Sequence, residues 1–192
     1  GLKNFYTIEA DAKHFIKSLI SSLSNKSIAC PEQWYKKCIQ WKIDYPIIDK
    51  KIHTHIDGYI NSYIFVDELS KHFTEDEIIV TDMGTALTCT HQAITLNKNQ
   101  RLLTSTGLGE MGYGMPGAIG ASFGSEKKRV ILISGDGSMM MNLQELQTIV
   151  HHQLPIKIFL FINDGYLTIK HTQKALFGTK FVGSGRDSGV SC

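Results

Sequence analysis

Residues 129–167 read RVILISGDGSMMMNLQELQTIVHHQLPIKIFLFINDGYL. Two apolar runs flank a helical pattern, which predicts a strand over 130–134, a helix over 143–150 and a strand over 156–162. Continuous apolar strands joined by a helix are typical of a parallel sheet that is buried on both faces. The stretch therefore predicts an α/β fold, in which helices cover both faces of a parallel sheet.

Each of these strands ends in a glycine-containing cluster that also carries an oxygen-rich side chain. The clusters are Gly135-Asp136-Gly137 and Asn163-Asp164-Gly165, and a third, Asp82-Met83-Gly84, follows a β-branched run at 77–81. In open α/β sheets, ligands bind beyond the carboxyl ends of the strands. We therefore expect the segments 82–86, 135–138 and 163–166 to form one ligand site.

The remaining chain carries weaker patterns. Asn61 can cap a helix that continues through Phe73, and a short strand is expected at 102–104. The glycine-rich segment GLGEMGYGMPGAIGASFG, residues 107–124, leads into a helix that Pro116 can start. Residues 1–58 are less regular, with a strand at 5–8, a helix over 15–23 and a helix edge that packs Trp34 and Trp41. We interpret 29–58 as a connector and 59–192 as the main domain.

The composition is that of a globular protein, with 42% apolar and 20% charged residues in a chain of 192. A formal net charge of +2 is too balanced to indicate a nucleic-acid or anionic-membrane surface. No apolar run approaches the ~20 residues of a membrane span, and the N-terminus lacks the apolar region of a signal peptide, so we expect a cytoplasmic protein.

Neither the cysteines nor the histidines predict a metal centre. His53 and His55 have no neighbours at the spacing that zinc ligands require. The cysteines form no C-x-x-C pair, so we expect reduced thiols rather than a disulfide framework. They are Cys30, Cys38, Cys89 and Cys192.

The cluster around Asp136 predicts a site for a cation beside an anion. Glycine on each side lets the backbone turn sharply, and Ser138 can cap the following helix and leave N–H groups for an anion. A carboxylate beside an anion is unfavourable unless a cation lies between them, and Mg²⁺ typically binds one or two protein oxygens together with phosphate oxygens. Asn163 offers an amide oxygen and Gly165 a backbone carbonyl as further ligands.

The glycine-rich segment offers an alternative interpretation. Gly107, Gly109 and Gly112 satisfy G-x-G-x-x-G, which taken alone favours a dinucleotide-binding fold. That motif needs an acidic residue that faces a ribose at the end of the next strand, whereas Asp136 lies inside its own glycine turn. The dinucleotide interpretation is therefore the weaker one.

The stretch GDGSMMMNLQELQTIVHHQLPIKIFLFIN resembles the thiamine-diphosphate motif, in which GDG is followed some two dozen residues later by NN. Here 24 residues separate Gly137 from Ile162. Together with TDMG and GLGEMGYGMPGAIGA, this stretch resembles acetolactate synthase and its close relatives over about residues 60–192. The resemblance implies the C-terminal, pyrophosphate-binding domain of a chain about three times longer, truncated at its C-terminus, with 1–58 as the tail of a preceding central domain and a linker.

The resemblance also implies a role for individual residues. Asp136, Asn163 and the carbonyl of Gly165 would bind magnesium, and Met111 would hold thiamine diphosphate in the bent shape in which it acts as an electron sink. Met111 is thus the residue of this chain with a part in catalysis. The residues implied to contact the cofactor are Gly84, Thr85, Ala86, Gly109, Met111, Gly135, Gly137, Ser138 and Tyr166.

Four positions depart from the family pattern. Ile162 replaces the first Asn of the family pair, although the second, which binds the metal, is kept as Asn163. Thr85 and Ala86 stand where acetolactate synthases carry a more polar Gln-His pair, so contacts to the diphosphate would be fewer. Thr172 stands near the position of a Trp that shapes the acceptor pocket, which suggests a different or bulkier acceptor.

The implied activity is decarboxylation of pyruvate and transfer of the two-carbon unit to a second carbonyl compound. The family's catalytic glutamate lies in the missing N-terminal, pyrimidine-binding domain, usually of a neighbouring subunit, so this chain alone is expected to be inactive. The resemblance further implies a homodimer or a larger assembly, and it allows FAD in the full-length protein. Two alternatives stay open: a 2-oxo-acid decarboxylase or aldehyde-lyase of the same cofactor family, and a non-enzymatic nucleotide-binding α/β domain.

Overall fold

The computed structural model describes residues 5–27, 29–49, 51–56 and 58–190. The chain divides into two units, Gly1–Pro46 and Ile47–Cys192, and each is described by itself below. The boundary predicted between residues 58 and 59, with a central-domain tail before it, remains a prediction.

The first unit contains two helices, α1 (Ala12–Leu23) and α2 (Glu32–Asp44). The side chain of Asp11 caps α1 by accepting hydrogen bonds from the first turn. In α2, the rings of Trp34 and Trp41 meet edge to face at 5.6 Å, as the helical spacing predicts. The strand predicted at 5–8 is wrong, because these residues form neither a helix nor a strand.

The second unit is built around a parallel sheet. In the described part of the chain the sheet has four strands in the order β2-β1-β3-β4, and every neighbouring pair is parallel. The predicted α/β class is therefore confirmed, and each strand predicted within this unit is present with small shifts of its ends. The strands are β1 (Ile78–Thr81), β2 (Arg101–Leu103), β3 (Val130–Gly135) and β4 (Ile156–Phe161).

In the described part of this unit, six helices accompany the strands. Asn61 caps the first of them as predicted, since its side chain accepts hydrogen bonds from the N–H groups of Tyr63 and Ile64. Two of the six, α4 and α8, are not predicted by the sequence patterns described above. The helices are α3 (Ser62–Ser70), α4 (Thr85–Ala93), α5 (Gly114–Gly124), α6 (Asp136–Met139), α7 (Glu145–His151) and α8 (Leu167–Phe177), with short 3-10 turns at Met140–Asn142 and Arg186–Ser188.

The strand side chains alternate between two hydrophobic clusters. Val80 and Leu132 point to one face and pack with Met115 and Ala118 of α5. The opposite face is formed by the alternate residues of the same strands, which pack with Ala86 of α4. Helices therefore cover both faces of the central strands, as their continuous apolar sequence predicts.

The strand order fixes where a ligand site can form. From β1 the chain crosses to β2 on one side, and it then returns to add β3 on the other side of β1. The sheet therefore has its topological switch point between the carboxyl ends of β1 and β3, which is where open α/β sheets bind their ligands.

Candidate functional site

A cavity of about 240 Å³ lies at the carboxyl ends of β1, β3 and β4. The three glycine-containing clusters that end these strands all contribute to its wall, together with part of the glycine-rich loop. Of the residues that the resemblance implies to bind the cofactor or the metal, all except Ala86 line it. The lining residues are Met83, Gly84, Thr85, Gly109, Met111, Gly135, Asp136, Gly137, Ser138, Asn163, Gly165, Tyr166, Leu167, Thr168 and Ile169.

Asp136 is held at the centre of this cavity wall by backbone hydrogen bonds. Its side chain is buried, with 6% exposure. Oδ1 accepts a hydrogen bond from the N–H of Gly137 at 2.8 Å. Oδ2 accepts from the N–H of Asn163 at 2.9 Å and from that of Gly165 at 3.3 Å, so the carboxylate joins the ends of β3 and β4. A carboxylate has roughly four acceptor positions, so capacity for a cation remains after these three bonds.

Two further oxygens beside Asp136 bear on metal binding. The side-chain Oδ1 of Asn163 is buried and has no hydrogen-bond partner among the described residues. Such an atom has lost its water without gaining a donor, which costs about 1–3 kcal/mol unless a ligand compensates it. The carbonyl of Gly165 accepts a hydrogen bond from the N–H of Leu167 at 3.1 Å and keeps a second lone pair. The donor set is oxygen only, which suits Mg²⁺.

The two glycines around Asp136 serve different purposes. Neither has a positive φ, so the sharp-turn argument from sequence does not explain them. At Gly137, a Cβ would lie 2.5 Å from the ring of Tyr166, so this glycine lets the ring pack against the backbone. At Gly135, a Cβ would meet no described atom within 4 Å, and the position opens into the cavity.

Ser138 does not cap the helix that follows β3. The helix α6 begins at Asp136, its N-cap is Gly135, and none of the described side chains caps it. Ser138 lies inside this single turn, buried and facing the cavity, because the strand leads into the helix two residues earlier than the sequence pattern predicts.

Gly84, Thr85 and Ala86 lie at the start of α4, where a loop was expected. Gly84 is the N-cap residue and has φ +72°, a conformation that favours glycine. No side chain of the described residues caps this helix, so the first N–H groups of α4 remain available beside the cavity. The side chain of Ala86 is buried in the hydrophobic core, and the residue is absent from the cavity wall.

Met111 is the large apolar residue that the glycine-rich loop brings to the cavity. It is 39% exposed and belongs to neither hydrophobic cluster of the described residues, in contrast to Met115, which is fully buried. Its neighbour Glu110 accepts a hydrogen bond from the hydroxyl of Ser105 at 2.6 Å, and this bond lowers the pKa of Glu110. Met111 therefore lies in the loop rather than in the core.

Asp82 belongs to the segment 82–86 that is expected in the ligand site, but it does not line the cavity. Its carboxylate is buried beneath the cavity and accepts hydrogen bonds from the backbone N–H groups of Gly112 and Gly114, each at 2.9 Å. Those two N–H groups are thereby unavailable to a pyrophosphate, and one of them belongs to Gly112, the last glycine of the G-x-G-x-x-G motif.

Three cavity residues on α8 were not predicted from the sequence. Leu167, Thr168 and Ile169 line the wall in the first turn of this helix. A signal for the helix was present, since Gly178 directly follows it with φ +68°, as is common at helix C-termini. Thr172, expected near an acceptor pocket, is on the same helix but is exposed and does not line the cavity.

The other candidate metal ligands of the sequence are engaged elsewhere. Nδ1 of His53 accepts a hydrogen bond from the N–H of Asp49, and Nδ1 of His55 accepts one from that of Asn61. Within the described ranges, no group of three or more His, Cys, Asp or Glu residues could hold a metal. The described cysteines, Cys30, Cys38 and Cys89, are free, and Cys192 lies outside the described residues.

None of the described helices is both long and apolar enough to cross a membrane.

Relatives of this chain are known among acetolactate synthases. The chain is 33% identical over 177 residues to the acetolactate synthase large subunit of Porphyra purpurea, an alignment that covers 91% of this chain and 29% of that protein. It is 41% identical over 118 residues to the acetolactate synthase isozyme 1 large subunit of Escherichia coli (strain K12), covering 62% of this chain and 21% of the relative. The chain thus spans less than a third of the length of these relatives.

A family match covers the part of the chain that carries the cavity. Residues 82–190 match the family described as "Thiamine pyrophosphate enzyme, C-terminal TPP binding domain". The match begins at Asp82, the residue that follows β1, and includes every lining residue of the cavity. The resemblance inferred from the sequence motifs is confirmed, and the chain belongs to the family of C-terminal TPP-binding domains of thiamine pyrophosphate enzymes.

Proposed function

We propose that this chain is the pyrophosphate-binding part of a thiamine-diphosphate- and Mg²⁺-dependent carboligase. The full-length protein would decarboxylate pyruvate and transfer the two-carbon unit to a second carbonyl compound. One observation carries the proposal. A buried carboxylate, fixed by the backbone of the next strand end, lies beside a buried amide oxygen without a partner among the described residues.

The proposed metal ligands are Asp136, Asn163 and the carbonyl of Gly165. Their fit to Mg²⁺ is supported by the oxygen-only donor set and by the unpaired Oδ1 of Asn163, which a cation would compensate. The backbone donors on Asp136 hold its carboxylate in one orientation, so little reorganisation is needed on binding.

The diphosphate is proposed to bind at the start of α4. Uncapped N–H groups at a helix N-terminus favour anions. The positive φ of Gly84 favours glycine, so no side chain blocks the approach at this position. Thr85 can contribute its hydroxyl, whereas Ala86 can contribute only its backbone, because its side chain is buried. Gly135 leaves open space on the opposite wall of the cavity.

The bound cofactor would supply the electron sink for the decarboxylation. Met111 is proposed to hold it in its reactive shape, which is supported by the exposure of the side chain and by its place on the cavity wall. The cavity, at about 240 Å³, is smaller than the roughly 300–1,000 Å³ usual for a whole ligand. This size is consistent with a site that another domain completes, and with a chain that is inactive alone.

The acetolactate synthase names of the relatives support the choice of reaction. Because the chain spans less than a third of these proteins, the activity, the pyruvate substrate, the assembly as a homodimer or larger oligomer, and any FAD belong to the proposal for the full-length protein.

Isothermal titration calorimetry on the full-length protein tests the cofactor site. Thiamine diphosphate should bind in a Mg²⁺-dependent manner, and Asp136→Ala should abolish the metal-dependent part. Asp164→Asn is the matched control, because Asp164 is exposed, does not line the cavity and has φ +60°, a conformation that Asn tolerates. Mg²⁺-dependent binding that survives Asp136→Ala would refute the proposed site.

Product analysis with pyruvate and a panel of acceptors tests the reaction. A carboligase should yield the two-carbon adduct of an acceptor, whereas release of the free aldehyde alone would indicate the decarboxylase or lyase alternative. Binding of a nucleotide in place of thiamine diphosphate would indicate the non-enzymatic alternative. Visible flavin absorbance of the purified full-length protein reports on FAD.

A further inference from the structure

Asp82 is a fully buried carboxylate at the switch point of the sheet. It is 1% exposed, and its backbone N–H donates to the carbonyl of Ile133 at 2.9 Å, so it extends the pairing of β1 with β3. No basic side chain of the described residues forms an ion pair with it. Burying a carboxylate is costly unless hydrogen bonds compensate for the lost water. The donors that bond to Asp82 therefore show which part of the chain this residue stabilises.

The carboxylate of Asp82 is satisfied mainly by the glycine-rich loop. Oδ1 accepts from the N–H of Met83 at 2.8 Å and from that of Gly112 at 2.9 Å. Oδ2 accepts from the N–H of Gly114 at 2.9 Å and has a longer contact of 3.4 Å with the hydroxyl of Ser134. Both oxygens therefore act as acceptors toward the residues that directly follow Met111.

The conformation of the loop allows its backbone to approach the carboxylate of Asp82 closely. A Cβ at Gly114 would lie 2.7 Å from Oδ2 of Asp82, so glycine is what permits the approach. Gly112 has φ +88°, and its carbonyl accepts a hydrogen bond from Nδ2 of Asn142 at 2.7 Å. Gly112 is thus held on its N–H side by the end of β1 and on its carbonyl side by the segment after β3. Met111 immediately precedes Gly112 and lines the cavity.

We propose that Asp82 is a positioning residue that fixes Met111 in the cavity, acting through the N–H groups of Gly112 and Gly114. The inference rests on the proposed function only for the role of Met111 toward the cofactor. It requires a side chain with two acceptor oxygens, because Oδ1 accepts from Gly112 and Oδ2 from Gly114. An amide of the same size would turn one acceptor into a donor that faces an N–H group.

Asp82→Asn in the full-length protein is the test, and Glu77→Gln is its matched control. Glu77 immediately precedes β1 at the other end of the strand and is also a buried carboxylate, but it contacts Arg129 and Thr74 rather than the loop. Both variants remove a buried charge near the same strand, so a general loss of stability should be common to them. A loss of loop placement should be specific to Asp82→Asn.

The first readout is hydrogen exchange in the cofactor-free protein. Amides in the segment 107–114 should exchange at least about tenfold faster in Asp82→Asn and change little in Glu77→Gln. Asn142→Ala removes the support of Gly112 from the other side and should speed exchange in the same segment, so the proposal stays testable if Asp82→Asn does not fold. Unchanged exchange in this segment in both loop variants would overturn it.

The second readout is kinetic. Asp82→Asn should lower kcat by about tenfold or more while the Mg²⁺-dependent affinity for thiamine diphosphate changes by less than about threefold. In the double variant with Met111→Ala the effects should not add, because both changes remove the same support. Additive effects would mean that Asp82 acts independently of Met111 and would overturn the proposal. If the wild type fails to bind the cofactor, the proposed function fails, whereas the exchange result still decides whether Asp82 fixes the loop.

Discussion

The backbone N–H of Asn163 donates to Oδ2 of Asp136 at 2.9 Å, while the side-chain Oδ1 of the same Asn163 is buried without a partner among the described residues. The backbone of this residue therefore stabilises the fold, and its side chain is left in a state that only a ligand would compensate. Structure and binding can be separated here by changing the side chain alone.

We expect Asn163→Leu to weaken Mg²⁺-dependent binding without weakening the fold. Leucine has a similar volume and removes the uncompensated oxygen, so the melting temperature of the cofactor-free protein should stay or rise by a few degrees, about 2–4 °C per kcal/mol for a domain of this size. The Mg²⁺-dependent affinity for thiamine diphosphate should fall at least about tenfold, since a metal ligand is lost. Calorimetry and thermal unfolding measure the two effects. A large drop in melting temperature would mean that the amide has a structural role instead.

Met111 separates turnover from anchoring. Met111→Ala in the full-length enzyme should lower kcat by on the order of ten- to a hundred-fold, about 1.4 to 2.7 kcal/mol of barrier, while cofactor affinity falls less. Met111→Leu is the control and should be nearly silent, because size rather than sulfur is required. Steady-state kinetics and calorimetry decide the outcome. Equal damage from Leu and Ala, or full turnover with Ala, would contradict the assignment of Met111 to the cofactor.

The two glycines around Asp136 should respond to alanine in opposite ways. Gly137→Ala places a Cβ 2.5 Å from the ring of Tyr166 and should cost about 1–3 kcal/mol of unfolding free energy through overpacking. Gly135→Ala places its Cβ in open cavity space, so the fold should tolerate it within about 1 kcal/mol, but it should reduce cofactor binding. Urea unfolding compares the stabilities, and calorimetry compares the affinities. Equal stability of the two variants would refute the packing explanation.

Part of the fold and of the candidate site could be predicted from the sequence alone. The strands follow from apolar periodicity, and the Asn61 cap follows from the preference of asparagine for helix N-termini. The cavity residues on 135–138 and 163–166 follow from the rule that ligands bind at strand ends. All of these are local patterns. The roles of Gly137 and Asp82 could not be predicted in this way, because each depends on a group that is remote in sequence. Gly137 depends on the ring of Tyr166, and Asp82 on the N–H groups of Gly112 and Gly114. The helix α4 was missed because its polar-rich sequence, TALTCTHQA, lacks a continuous apolar stripe.

Glu77 should make the stability of the domain sensitive to acid. Burial raises the pKa of Glu77, but hydrogen bonds from Arg129 and Thr74 outweigh burial and hold the pKa below its ordinary value. A carboxyl whose pKa is depressed on folding contributes stability above its unfolded pKa, about 4.3, and that contribution is lost as the pH falls through the folded pKa.

Glu77→Gln should therefore destabilise the protein by about 1–3 kcal/mol at neutral pH and remove part of the loss below about pH 4.3. Urea unfolding at several pH values measures both effects. Glu68→Gln is the control, since Glu68 pairs with Lys71 on the exposed surface. A stability difference between wild type and Glu77→Gln that does not shrink in acid would contradict the assignment.

The intact protein is expected to assemble at least as a dimer, because the resemblance to acetolactate synthases implies a site shared between two chains. The small residues of α5 do not by themselves carry this prediction. Ala118 is buried in the core of this domain, and a Cβ at Gly117 would meet the ring of Tyr113 at 3.0 Å, so both are used within one chain. Sedimentation of the full-length enzyme is the measurement, and an active monomer would contradict it.

Main-chain N–H groups hold the carboxylate of Asp136, and this limits the effect that substitutions at neighbouring positions have on its orientation. Its bonds to the next strand end come from the N–H groups of residues 163 and 165, which any residue except proline can supply at 163. The neighbouring Ile162 has a side chain that is 65% exposed and takes no part in those bonds. The orientation of the Asp136 carboxylate therefore does not depend on which side chain stands at position 162, whereas the side chain of Asn163 is the part of this strand end that is proposed to bind the metal.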